Sequence, residues 1–573
     1  MYILGLQFSS FHDTSACLIN DGVMVGFVEE ERLNRQKHTR EKPLKSIDYL
    51  CSKEGISIQQ IDCIAIGFKY SWSTIFNRIL YSFELSRFNP FNGIIISIKS
   101  LHQHLGDFYR FRKSIKIFRK KYQYYGKIIF VDHHTAHLCC AFLNSPFKES
   151  AILSIDGSGL QFSGKFAVGK DKNIEEFDKI RLPHSIGLLY LKITAYLGFL
   201  GYGSEWKVMG LAPYGSSEEY VSLLRDVVKI GKSGKYKLNM KYFKYCHKGF
   251  FNGKFELSNY FYNKFGPSRS PEESITDRHK NIAAVLQKIT EEVIFNLLEN
   301  LYSRTGMENI CLAGGVAMNS VANGKIKRKT SFKMVYIPIA PYDSGIAIGS
   351  AFYIWNCLMG QPRICTINNA FLGPEFSDKE IKFILNRLKL NYSYLNNPSR
   401  KAADLISGGN VIGWFQGRME GGARSLGNRS ILADPRRPEM KDIINRLVKY
   451  RESFRPFAPS ILFEKTSEYF EDDCPVSFME KVYKIKKDKR KLIPAVTHVD
   501  GTGRLQTVRK KDNLLYWKLI KEFESITKIP IVLNTSFNIR GEPIVCTPED
   551  ALKCFFGTGL DFLIMGSFLI KKK

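Results

Sequence analysis

Residues 2–32 read YILGLQFSSFHDTSACLINDGVMVGFVEEER. A β-rich run, a loop of small residues and a second β-rich run predict a hairpin, with Asp21-Gly22 as a two-residue turn signal. A loop of this kind between strands can bring backbone amides close to a phosphate. His12 and Asp13 lie in it, able either to cap the turn or to touch such a group. The charged run EEERLNRQKH at 29–38 reads as the start of a surface helix, from which Lys37 and His38 can face a site.

The segment VDHHTAHLCCAF at 131–142 sets His133 and His137 four apart. In a helix both imidazoles then leave one face, as two ligands of one metal must; packed or capping histidines share the same spacing. Asp156 closes the β-rich AILSIDGSG and Asp343 follows the apolar IPIAP, both at strand ends, where open α/β sheets carry metal- or phosphate-handling groups. Two histidines with two aspartates suit Fe, Mn or Zn better than Mg. Between these segments and beyond them come GYGSEWKVMGLAPYG at 201–215, a glycine-rich loop able to lie over a ligand, and an amphipathic helix over 279–303. ICLAGGVAMN at 310–319 comes next, in which Gly314 and Gly315 allow close approach to a nucleotide. GKS at 231–233 lacks the upstream glycine of a Walker loop and is no P-loop.

A length of 573 residues with 44% apolar content predicts at least two globular domains. The opening strand-like residues carry no basic leader, and the twelve cysteines form no C-x-x-C pair, so free thiols and a cytoplasmic location are expected. The apolar tail Cys554 to Ile570 is short and contains Asp561, which reads as core and not as a membrane span. The net charge of +29 is uneven: residues 71–130 hold eleven Lys/Arg against two Asp/Glu among many Phe and Tyr, and 481–491 is a second basic cluster. Either these are solvated surface or they meet an anionic lipid surface or an acidic substrate. Neither resembles a nucleic-acid motif.

A linker-like stretch from about Gly360 to Pro374 precedes a region of different chemistry. WFQGRMEGGARSLGNRSILADPRR supplies Arg418, Arg424 and Arg429; VKYRESFRPFAPS adds Lys449 and Arg455. THVDGTGRLQTV adds His498 and Arg504, and LNTSFNIRGEPIV places Asn534, Ser536 and Asn538 at a strand end. Cations among glycines, hydroxyls and amides suit a polyphosphate.

Taken in order, HDTSACLINDG, EEERLNRQKH, DHHTAHLCCAF, SEWKVMGLAPYG, CLAGGVAMN, PYDSG, RSLGNRSILADPR, FRPFAP, THVDGTGRLQTV and LNTSFNIRGEPIV resemble the NodU/CmcH family of O-carbamoyltransferases nearly end to end. The resemblance implies an α/β chain in two domains. Residues 1–365 would form an actin/sugar-kinase-like (ASKHA) carbamoyl-transfer domain, and 366–573 a YrdC-like domain that makes carbamoyl adenylate from carbamoyl phosphate and ATP with Mg2+. It implies Fe2+, or another divalent transition metal, on His133, His137, Asp156 and Asp343. The polyphosphate and carbamoyl groups fall to Arg424, Lys449, Arg455, Arg504, Ser536 and Asn538, with Gly314 and Gly315 near the nucleotide. His12 and Lys37 would sit near the adenylate, and His12 or His134 would be the base that deprotonates a hydroxyl acceptor. Gly421, Ala423 and Ser425 stand where the family usually carries a bulky residue, Pro and Ala, predicting a looser arginine loop. The resemblance leaves the acceptor open among a sugar, an antibiotic scaffold and a surface-glycan precursor. No nucleic acid is expected, and peripheral membrane contact and a homodimer are compatible. The competing readings are a tRNA threonylcarbamoyl-type enzyme and an inactive nucleotide-binding relative. The hydrogenase-maturation relatives carry zinc-finger cysteines and an acylphosphatase module that this chain lacks.

Overall fold

The computed structural model describes residues 1–8, 12–70, 76, 90–231, 234–244 and 256–572. Of the basic aromatic stretch, 71–75 and 77–89 therefore lie outside the described residues, as do Lys232 and Ser233 of the rejected GKS. The chain divides into two compact units. Met1–Val25, Arg40–Met318 and Ile326–Thr366 form the first; Gly26–Thr39, Asn319–Lys325 and Ile367–Lys573 form the second. Two segments that precede the linker thus group with the second unit, which a division drawn at a single linker does not capture.

The first unit contains one strand order twice. Strands β1 (Tyr2–Gln7), β2 (Ser15–Asn20), β3 (Val23–Glu29), β4 (Cys63–Ile66) and β5 (Lys127–Phe130) form a sheet ordered β3-β2-β1-β4-β5. Strands β6 (Glu149–Gly159), β7 (Phe162–Lys170), β8 (Asn173–Arg181), β9 (Asn309–Ala313) and β10 (Met334–Tyr336) repeat it as β8-β7-β6-β9-β10. In both, the first strand runs antiparallel to the second and parallel to the fourth, and the fourth parallel to the fifth. This duplicated α/β order is that of the actin/sugar-kinase class. The Asp21-Gly22 turn joins β2 to β3 with both residues at positive φ, 45° and 80°, the conformation a two-residue hairpin demands.

The helices of this unit include α1 (Pro90–Tyr122), α2 (His133–Phe142), α3 (Asp277–Thr305) and α4 (Ile346–Phe352), of which α2 and α4 frame the site. Asp132 caps α2, accepting from the Thr135 amide at 3.1 Å, and Lys165 anchors the cap at 2.7 Å. Burial would raise the Asp132 carboxyl, but Lys165 outweighs it and lowers it to about 2. Helix α4 is fully buried and packs on both β1 and α2. Glycines permit this: a Cβ on Gly5 would stand 1.9 Å from the Ala347 carbonyl oxygen, and one on Gly349 1.8 Å from that of Ala136. Gly349→Ala is therefore expected to force α4 off α2 and lower stability by at least about 1–3 kcal/mol, read as a shift of the urea midpoint; an unchanged midpoint would refute this account of the packing.

The second unit is built on an eight-stranded mixed sheet. Its strands are β11 (Tyr392–Tyr394), β12 (Ile412–Phe415), β13 (Arg429–Ala433), β14 (Ala458–Leu462), β15 (Gln506–Val508), β16 (Ile531–Ser536), β17 (Phe562–Met565) and β18 (Phe568–Lys571). They lie in the order β11-β18-β17-β12-β13-β16-β14-β15. Helices Pro398–Ser407 and Leu514–Thr527 pack on each other and on the central strands, and one apolar core runs from Ile381 to Ile570. The apolar tail is part of that core, and no helix among the described residues is long and apolar enough to cross a membrane.

The charged run at 29–38 differs from its expected place at the surface. Glu29, Glu30, Glu31 and Arg32 are buried within the second unit. Arg32 pairs with Glu29 at 3.0 Å and donates to the Gly422 carbonyl at 2.8 Å, and Arg35 donates to the Ile544 carbonyl at 2.6 Å and pairs with Asp550 at 3.3 Å. Charge density in a sequence marks solvent only when the charges have no partners elsewhere in the chain.

Candidate metal and anion sites

In the first unit α2, β6 and the turn before α4 bring four donors together. His133, His137, Asp156 and Asp343 each offer an atom within 4.8 Å of all the others. His133 Nε2 lies 3.0 Å from Asp156 Oδ2 and 3.9 Å from Asp343 Oδ1; His137 Nε2 lies 3.5 and 3.7 Å from the same two oxygens. The two imidazoles stand nearly perpendicular with centroids 4.7 Å apart. Two atoms each about 2.1 Å from a common ion lie about 3.0–3.4 Å apart at octahedral to tetrahedral angles, so modest closure suffices. The strongest indication is His137 itself: it is fully buried, and neither ring nitrogen has a hydrogen-bond partner. A buried polar pair without partners costs about 1–3 kcal/mol per group unless something else satisfies it. The donor set therefore fits a divalent transition metal.

Glycines shape this cluster as well. Asp156 Oδ1 accepts from the Gly157 amide at 2.7 Å and from the Gly315 amide at 3.0 Å, so the Gly315 N–H is directed at an aspartate of the cluster and not at a nucleotide. Gly314, at φ +90°, lets the loop touch the β6 backbone: a Cβ there would stand 2.2 Å from the Ile155 carbonyl oxygen. Burial would raise Asp156, yet the two imidazoles outweigh it and hold the carboxyl well below its usual range. Burial would likewise lower His137, but Asp156 and Asp343 raise it to about 9.

The two candidate bases separate. His134 is fully buried, its Nδ1 2.7 Å from Ser154 Oγ and its Nε2 2.8 Å from the Phe162 carbonyl; burial pushes it down to about 3. Both nitrogens are engaged in holding α2 on the sheet, which corrects its assignment as a base. His12 lies at the cluster: Nδ1 is 2.9 Å from Asp13 Oδ2, Nε2 is 3.9 Å from Asp343 Oδ2, and Tyr202 lies over its ring at 4.1 Å. Burial lowers His12, but Asp13 and Asp343 raise it to about 9; a cation on Asp343 would remove part of that bias. Gln7, whose Nε2 reaches Asp343 Oδ2 at 3.5 Å, is a residue that reading by motif passes over. Its only signal is an amide ending an otherwise apolar strand.

The second unit gathers cations. Burial pushes the Arg504 guanidinium well below its usual value, and the charges adding to that push are those of Arg424, Arg451 and Arg455. Arg504 Nε is buried without a hydrogen-bond partner. Arg451 is itself depressed by burial and then by Arg455, while Glu452 pairs with Arg455 at 3.2 Å. Like charges held together in a desolvated place are a standing cost that an anion would relieve. Arg451, inside VKYRESFRP, carries no signal in the sequence that sets it apart from Lys449 and Arg455 beside it.

Several expected anion contacts are turned elsewhere. Lys449 donates to the Ser536 carbonyl, and to the Asn538 carbonyl and Oδ1 at 2.8 Å each, so its ammonium fixes the loop after β16. Ser536 Oγ donates to Asn538 Oδ1 at 2.7 Å, completing that loop. Lys37, expected beside the adenylate in the transfer domain, is exposed and belongs to the segment grouped with the second unit, where its charge acts on Lys449. Arg429 is wholly buried, donating to the Gln416 carbonyl at 2.6 Å and lying over Phe415 at 3.7 Å, a packing role. The loop bearing Arg424 differs from the looser one expected. Buried Glu420 Oε1 accepts from the amides of Leu426, Asn428 and Arg429 at 2.7–3.1 Å and fixes its course without bulky side chains.

Comparison with known proteins gives consistent matches. A family model described as Carbamoyltransferase N-terminus matches residues 2–352, and one described as Carbamoyltransferase C-terminus matches 403–572. The protein sll1178 of Synechocystis sp. is 38% identical, the match covering 100% of this chain and 97% of that one. Nodulation protein NolNO of Sinorhizobium fredii is 37% identical over 100% of this chain and 80% of its own. Among solved structures, full-length HypF in its phosphate- and nucleotide-bound form overlaps 61% of this chain and 54% of its own at 14% identity and a TM-score of 0.34, too slight a likeness to carry weight.

Proposed function

The chain belongs to the carbamoyltransferase family, and from that premise we propose that it is an ATP-dependent O-carbamoyltransferase working in two steps. In the first, carbamoyl phosphate loses its phosphate to water, and the carbamate oxygen displaces pyrophosphate from ATP to give carbamoyl adenylate. In the second, a hydroxyl oxygen of a sugar or glycan-type acceptor attacks the carbamoyl carbon and AMP leaves.

The first step is assigned to the second unit. Carbamate and ATP are both anionic, and the approach of one to the other is opposed unless fixed cations offset it. The observation that carries the reading is the gathering of Arg424, Arg451 and Arg455 about the buried Arg504, with Arg455 acting on Arg451 as well. Planar guanidinium forks match phosphate oxygens two at a time and stabilise the departing pyrophosphate.

The second step is assigned to the first unit. His133, His137, Asp156 and Asp343 would hold a divalent transition metal, iron by family resemblance, which supplies a Lewis acid able to polarise a carbonyl or phosphoryl oxygen. Asp13 accepts from His12 Nδ1 and so leaves Nε2 as the nitrogen able to take the acceptor's proton. Tyr202, with its ring centroid 4.1 Å from that of His12, restricts the orientation of the imidazole.

The test is to supply ATP and carbamoyl phosphate to the full chain and follow pyrophosphate. Release that depends on carbamoyl phosphate is expected. Release independent of it, or none, overturns the reading.

A further inference from the structure

Neither step uses the basic aromatic segment, and its described part has a definite geometry. Helix α1 turns Phe111 and Phe118 inward, against Phe68, Tyr70 and Phe130 in one case and Phe8 and Tyr122 in the other. Its outer face presents Ile98, His102, Leu105, Tyr109, Lys113, Lys116 and Lys120, all exposed. At about 100° per residue these fall within an arc of about 80°, and at 1.5 Å per residue they form a strip about 33 Å long. Arg112 lies at its edge, with Arg110, Ile117 and Lys121 flanking. The one acidic residue of the helix, Asp107, is bound to Arg110 at 2.5 Å, and Lys113, Lys116 and Lys120 have no ion pair among the described residues.

We propose that this outer face of α1 docks the protein on an anionic lipid surface. Two properties of the strip point to lipid. The first is charge: unpaired lysines in line are drawn to anionic headgroups. The second is the apolar component interleaved with them. Tyr109 is 70% exposed, Ile98 62% and Ile117 59%. Exposed Ile and Leu gain nothing from a sugar-phosphate backbone, whereas a helix lying in a bilayer interface buries such side chains below the headgroups. No penetration beyond the interface is implied, since no described helix is fit to span. The proposal is independent of the transferase reading: a chain active on a soluble acceptor and one inactive altogether would dock alike.

The experiment is cosedimentation of the full chain with vesicles of equal parts phosphatidylglycerol and phosphatidylcholine, against phosphatidylcholine alone. Binding to the anionic vesicles only, weakened by added salt, is expected. Each lysine near such a surface contributes about fivefold to the partition, so K113Q/K116Q/K120Q together lower it about a hundredfold. L105S/Y109S lowers it as well, which a purely electrostatic contact would not. All five residues lie on the surface and outside both proposed centres, so carbamoyl-phosphate-dependent pyrophosphate release and the circular dichroism spectrum serve as folding controls. Absence of vesicle binding, undiminished binding by either variant, or binding to a duplex RNA in place of vesicles overturns the proposal.

Discussion

In the His137→Ala variant, carbamoyl transfer is expected to fall by about a thousandfold or more while pyrophosphate release continues. His137 is buried at 0% exposure with neither ring nitrogen in hydrogen-bonding geometry, so its removal deletes a metal donor without breaking a hydrogen bond of the fold. Asp156 and Asp343 then lose the imidazole that stood 3.5 and 3.7 Å from them, and the three remaining donors bind a cation more weakly. Element analysis of the purified variant should show substoichiometric metal, and a chelator should reproduce the loss of transfer in the parent chain. The arginines act within the other unit, which is why the first step should survive. Equal loss of both steps would end the division of labour. If the parent chain binds no metal and chelators do nothing, the four residues are a buried ion-pair cluster and no catalytic centre.

The legibility of each residue in the sequence depends on the partners it answers to. The hairpin and its Asp21-Gly22 turn were readable because a two-residue turn imposes its own backbone requirement locally. The histidine pair was readable because helical spacing fixes which side chains share a face. By contrast, the burial of Glu29 to Arg32 depends on partners such as Gly422, 390 residues along the chain, and no local pattern announces a partner at that distance. Lys449 was legible as a cation, but its acceptors lie on the loop after β16, so its role as a fastening is a property of the fold. His134 carries the same lesson in reverse. Adjacent to His133 in sequence, it leaves the helix about 100° away from it and meets Ser154 and Phe162.

Arg455→Ala is expected to reduce carbamoyl-phosphate-dependent pyrophosphate release by about a hundred- to a thousandfold with the fold intact. Burial lowers the Arg455 guanidinium only to about 10, so it is charged at neutral pH. Its removal should not leave Glu452 stranded, because Arg540 Nη2 already lies 3.9 Å from the other carboxylate oxygen. It also removes a like charge acting on Arg451 and Arg504. Stability should therefore hold or rise slightly while the first step is lost, whereas truncating a structural arginine such as Arg429 should lower stability. Arg455→Lys separates charge from shape: a lysine restores the charge but not the planar fork, so recovery of only a small part of the rate indicates two-point contact with phosphate oxygens. Full recovery would mean that Arg455 acts through the field alone. An Arg455→Ala chain that unfolds at a markedly lower temperature, or that releases pyrophosphate at the parent rate, would remove Arg455 from the adenylate-forming centre.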